Sequence, residues 1–131
     1  MKLKQWIPVL FLVLGTTVFS GCALFLIGAG VAAGAGGVAY VNGELKVDDS
    51  VTVDRAWSAT QAAVHDLQFK VTSSQKDAFA GTLVSLRADN TKVVIHLVRQ
   101  TDQVTEVRIR IGIFGDEALS RLVYDKIKSH Y

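Results

Sequence analysis

Val104-Thr105-Glu106-Val107-Arg108-Ile109-Arg110-Ile111 alternates apolar and polar side chains over its second half without a break, and Ile113 extends the apolar set past Gly112. A period of two is the pattern of a strand with one face buried and the other wet. The strand before it carries Val93, Ile95 and Leu97 at the same period. Placing both apolar sets on one face requires an odd number of residues in the loop near Thr101-Asp102-Gln103. A two-residue turn alone would oppose Leu97 to Arg108 and flip every side chain. The sequence therefore predicts a three-residue loop there, or an equivalent bulge.

Working backwards, Asp89-Asn90 suits a two-residue hairpin turn, since both residues tolerate positive φ. Such a turn pairs Leu86 with Val93 and Val84 with Ile95 in a strand running from Ala80 to Ala88. Another strand begins at Phe69-Lys70-Val71-Thr72. Val53, Ala56, Trp57, Thr60, Ala63, Val64 and Leu67 fall at helical spacing, with Thr52 as N-cap and Asp54 near the positive end of the helix dipole. Trp57 is the largest core anchor and is expected to pack on the sheet. Val41, Gly43, Leu45 and Val47 alternate as a first strand, where the inward Gly43 suggests a close backbone approach beneath Trp57. After the final strand, Gly115 suits a turn and Asp116 caps a last helix with Leu119, Leu122, Val123 and Ile127 as its apolar stripe. The predicted class is α+β: a two-layer antiparallel sheet with two helices on one face, in the order β-α-β-β-β-β-α.

The N-terminal part is of another kind. Lys2 and Lys4 are the only charges before Glu44 in the 131-residue chain. A positive start, an apolar run from Trp6 to Phe19 and the small residues Ser20-Gly21 read as a secretory signal peptide over 1–21. Cys22, the single cysteine, follows directly. Phe19-Ser20-Gly21-Cys22 resembles a bacterial lipobox, with Phe where Leu is usual, so Cys22 is the expected lipidation site. Ala23 stands where Asp would retain a lipoprotein at the inner membrane, which favours an outer-membrane protein facing the periplasm. Removing the leader takes away two of the 14 basic residues and none of the 12 acidic ones, so the mature chain is formally neutral. That balance gives no reason to expect nucleic acid. One cysteine excludes an intramolecular disulfide.

Ala23 to Val41 is a second apolar run, long enough at about 28 Å to cross a bilayer as a helix. Gly30 and Gly34 form a GxxxG pair, a candidate helix-packing and oligomerisation motif in lipid. The run reads as a flexible tether, a membrane-docked helix or half of an uncleaved membrane hairpin. Gly28-Ala29-Gly30-Val31-Ala32-Ala33 mimics a dinucleotide turn, but too little α/β chain follows it. The organisation expected is leader 1–21, lipidated Cys22 with a Gly/Ala-rich segment over 22–38, and a compact domain over 39–131.

Chemistry-bearing clusters are few. His65, His96 and His130 lie at no metal-ligand spacing, and no metal or cofactor motif appears. Asp116-Glu117 reads as helix capping rather than a catalytic pair. His96, Arg108 and Arg110, with Arg99, are the candidates for contact with an anion or a lipid headgroup on the outer sheet face.

Ala39-Tyr40-Val41-Asn42-Gly43-Glu44-Leu45, Arg87-Ala88-Asp89, Val104 to Arg110 and Phe114-Gly115-Asp116-Glu117-Ala118 together resemble an uncharacterised family of small bacterial lipoproteins, domain of unknown function 3568. That resemblance implies lipoprotein status and an α+β domain, and it supplies no catalytic residue. The reading is a lipid-anchored envelope protein, not an enzyme, whose domain binds or spaces an envelope partner. A lipid-anchored enzyme and an uncleaved single-pass inner-membrane protein are the alternatives.

Overall fold

The computed structural model describes residues 37–131. The leader, Cys22, Gly30 and Gly34 lie outside the described residues. Strands β1 (Val38–Val41) and β2 (Glu44–Asp49) precede helix α1 (Val53–Asp66). Strands β3 (Lys70–Lys76), β4 (Ala80–Leu86), β5 (Lys92–Thr101) and β6 (Val104–Ile111) follow, and helix α2 (Glu117–Lys128) closes the order. All six strands form one antiparallel sheet, ordered β1-β2-β6-β5-β4-β3. Helix α1 packs on β4, β5 and β6, and α2 on β2, β6 and α1. This is the two-layer α+β class read from the sequence, with the first strand resolved into a hairpin.

The hairpin arises at Asn42-Gly43, with φ of 53° and 79°. Positive φ at both central residues is the two-residue type I′ turn for which Asn-Gly is the preferred pair. Val41 therefore pairs with Glu44 instead of continuing into it. Gly43 does approach another backbone closely, but not beneath Trp57. A Cβ on Gly43 would sit 2.7 Å from the Phe114 carbonyl oxygen. Gly115, at φ 82°, meets it from the other side: a Cβ there would strike the Gly43 backbone and come within 2.6 Å of the Tyr40 hydroxyl. The residue beneath Trp57 is Gly81, whose absent Cβ would lie 2.6 Å from the indole.

Register decides which residues are core. The β5–β6 pairing matches Val93 to Ile111, Ile95 to Ile109 and Leu97 to Val107. A register shift between Arg99 and Thr101 supplies the odd residue, while Thr101 pairs with Val104 across a two-residue turn. The expected equivalent bulge is thus the solution used. The β4–β5 hairpin differs from expectation by one residue. Arg87 and Thr91 close a three-residue loop, with Asn90 at φ 65° and the Asp89 carboxylate accepting from the Thr91 amide at 3.0 Å. Leu83 pairs with Ile95 and Ser85 with Val93, so Gly81, Leu83 and Ser85 face the helices while Val84 and Leu86 do not.

Thr52 and Asp116 cap the two helices as expected, accepting from the amides of Arg55 at 3.2 Å and Leu119 at 2.9 Å. The α2 stripe is rotated from the predicted one. Ser120, Val123, Tyr124 and Ile127 are buried, and Leu122 is 51% exposed. Tyr124 turns inward because its hydroxyl has a buried acceptor on the sheet. Ile113 also leaves the expected face: β6 ends at Ile111, Gly112 takes φ 71°, and Ile113 is 82% exposed.

The two-glycine contact gives a direct test. Gly115→Ala combines positive φ with a backbone clash and should cost about 3 kcal/mol. Gly112→Ala has the same φ problem but meets only the Thr91 methyl, at an ordinary 3.7 Å, and should cost about 1 kcal/mol. Thermal unfolding of the two variants side by side checks the difference.

Candidate functional site

The outer sheet face brings the three predicted residues together. Across β2, β6, β5 and β4, one rank reads Lys46, Arg108, His96, Thr82, and Arg110 lies one rank away opposite Glu44 and Val94. Arg99 is not among them. It pairs with Thr105 on the opposite parity, lays its guanidinium 5.5 Å from the Phe79 ring centre and pairs with Asp102. That cation–π contact uses the one arginine the pattern had misplaced.

Each member of the trio has an intramolecular partner. His96 Nδ1 is 3.0 Å from the Thr82 hydroxyl. Arg108 Nε pairs with Glu106 on its own strand and lies 4.0 Å from Glu44. Arg110 donates to the carbonyl oxygens of Asn42 at 2.9 Å and Ile113 at 2.7 Å. It thereby staples the β1–β2 turn to the loop before α2, beside the Gly43–Gly115 contact. Carboxylates interleave with these cations: Glu44 and Asp48 flank Lys46, and Asp48 pairs with Glu106 across the strands. Burial pushes the Asp48 carboxyl above its ordinary value, and Glu106 and Asp49 add to this against the opposing pull of Arg108. The face is charge-balanced rather than basic. A small depression of about 160 Å³ lies on it beside the chain's entry, lined by Gly37, Ala39, Lys46, Val47, Asp48 and Glu106. Among the described residues, no group of three or more His, Cys, Asp or Glu is placed to hold a metal ion.

A second polar cluster went unread in the sequence. Asp49 ends β2 on the helix side and is 7% exposed. One carboxylate oxygen accepts from Tyr124 at 2.6 Å and the other from Tyr131 at 2.5 Å. Neighbouring Thr105 donates to the Val51 carbonyl at 2.9 Å, which fixes the chain between β2 and α1. A buried carboxylate needs such donors, because an unpaired one costs several kcal/mol. No local pattern signals it: Tyr124 lies on α2, whereas Tyr131 follows the helix's end at Lys128.

The family model described as protein of unknown function (DUF3568) matches residues 6–130. The chain belongs to this family. Its pattern begins inside the first apolar run and ends at His130, so it takes in the N-terminal region along with the α+β domain. No curated protein matches the chain.

The Asp49 cluster of this DUF3568 domain has a pH signature. Burial and then the Asp49 carboxylate push both phenols above their ordinary value of 10. The folded domain keeps protons that the unfolded chain releases above pH 10. Stability from this cluster is therefore full below pH 10 and falls as pH rises beyond it. Tyr124→Phe or Tyr131→Phe should each cost about 1.5–3 kcal/mol at neutral pH. The double variant should show a shallower loss of melting temperature than the parent between about pH 10 and 11, measured by circular dichroism.

Proposed function

We propose that this protein is a lipid-anchored cell-envelope protein, held through Cys22 in the outer membrane, whose α+β domain faces the periplasm and binds or spaces other envelope components. The observation that carries the reading is the position of β1. Val38–Val41 is a hydrogen-bonded strand of the sheet, so the last four residues of the 23–41 apolar run belong to the domain. Residues 23–37 remain, about 22 Å if helical, against a hydrocarbon core of roughly 30 Å. That length suits a tether behind a lipidated cysteine better than a membrane crossing. No helix among the described residues is long and apolar enough to cross a membrane. β1 is also an edge strand, and Val38 at its start is 42% exposed, so the described residues begin at the rim of the sheet.

On the outer face Arg108, Arg110 and His96 each engage a partner within the chain, so the binding or spacing role is not assigned to them. A lipid-anchored enzyme is the reading from a different class, and no geometry described above favours it.

Labelled palmitate should enter the full-length protein and fail to enter Cys22→Ser, with the domain's circular dichroism unchanged between them. Equal labelling of both would remove the anchor from this account.

A further inference from the structure

The two edges of the sheet are built differently. β3 carries Lys70 and Lys76 at its ends, the exposed Val71 and four polar residues between them, and a register shift between Val71 and Ser73. Charges and bulges of this kind keep an edge strand from pairing with another chain. β1 reads Val-Ala-Tyr-Val, with no charge, no proline and no register shift. Val38 and Val41 are 42% and 48% exposed. Beside its turn, Ile113 and Phe114 are exposed to 82% and 91%, held in place by the Arg110 staple.

We infer that β1 is a homodimerisation edge, pairing antiparallel with β1 of a second copy to join two six-stranded sheets into one. This goes beyond the anchoring proposal and needs no lipid.

The register follows from the hairpin. Val41 and Glu44 close a two-residue turn, and a closing pair exchanges both of its backbone hydrogen bonds. Bonding pairs alternate, so Ala39 also faces Lys46, while Val38 and Tyr40 turn their amides and carbonyls to the open edge. An isologous pair must place one residue on the two-fold axis. With Ala39 on the axis, Val38 of each copy meets Tyr40 of the other, and all four outward groups of each copy are used. With Tyr40 on the axis, Val38 would face the Asn42 turn and half of those bonds would be lost. The Ala39 register also fits sterically. It is a non-bonded pair, with Cα atoms about 4.5 Å apart, and methyl side chains allow that approach. The same register sets Gly37 of the second copy opposite Val41, next to the exposed Ile113–Phe114 tip.

Cysteine crosslinking of the full-length protein tests this. Non-bonded antiparallel pairs bring Cβ atoms into disulfide range. Under mild oxidation Ala39→Cys should form disulfide dimers at least about tenfold faster than Ser74→Cys on the β3 edge or the parent carrying Cys22 alone, because pairing raises the local thiol concentration. Adding Val38→Lys should abolish that advantage while leaving the circular dichroism spectrum unchanged. Sedimentation of the parent and of Val38→Lys in detergent, expected to give dimer and monomer, reads the same edge without a new thiol. Equal crosslinking rates at the two edges would overturn the inference, as would a parent that sediments only as a monomer. Palmitate labelling of Cys22 is independent of either result, so failure here would leave the anchor proposal standing.

Discussion

The domain depends on ranks of side chains that the central strands turn toward the helices. Leu45, Ile109, Ile95 and Leu83 stand side by side across β2, β6, β5 and β4, all at most 1% exposed. The next rank is Val47, Val107, Leu97 and Gly81, with the Trp57 indole filling the space over the glycine. Burying each large aliphatic side chain contributes roughly 1.5–3 kcal/mol, so one rank is worth about as much as the whole net stability of a small domain. A one-residue slip at any strand pair would do that, since it exchanges the two faces. The register shift after Arg99 and the three-residue loop at Ala88–Asn90 are therefore structural necessities.

The same registers organise what surrounds the core. Asp49 falls on the helix side because Asp48 faces out, and it is thereby delivered to two tyrosine hydroxyls. On the outer face the alternation sets acid beside base, which leaves Arg108 and Arg110 engaged within the molecule. At the sheet's edge, the Asn42-Gly43 turn folds β1 back on β2 and gives Gly43 its contact with Gly115. Val38, Val41, Ile113 and Phe114 are exposed on that side of the domain, while Val71, Phe79 and Leu122 are exposed elsewhere.

The alternation from Val104 to Ile111 made most of this legible. An apolar residue at every second position on two neighbouring strands leaves one register that buries both, and the bulge followed from counting. Helix caps at Thr52 and Asp116 were equally readable, because the chemistry is local. The β4 register was not. Its inward residues are Gly81, Leu83 and Ser85, and its outward ones include Val84 and Leu86, so hydrophobicity pointed to the wrong face. Only the Trp57–Gly81 contact explains why a glycine belongs inside. The Asn42-Gly43 turn was legible as a hairpin signal but was masked by a fortuitous alternation running through it. At the candidate site, sequence parity placed His96, Arg108 and Arg110 together. Their internal partners come from strand neighbours and from a carbonyl 68 positions away, which no local pattern shows.

Function joins these points at the chain's entry. A strand that begins at Val38 cannot also be the end of a membrane span, and what remains of the apolar run is short for a bilayer. That length accords with the proposed cleaved, lipid-bearing N-terminus, with the folded domain outside the membrane. Intact mass spectrometry of the protein extracted from membranes measures this most directly. The account predicts a chain beginning at Cys22 and heavier than its polypeptide by the mass of attached acyl groups. A polypeptide beginning at Met1 or Lys2 with no added mass would contradict it.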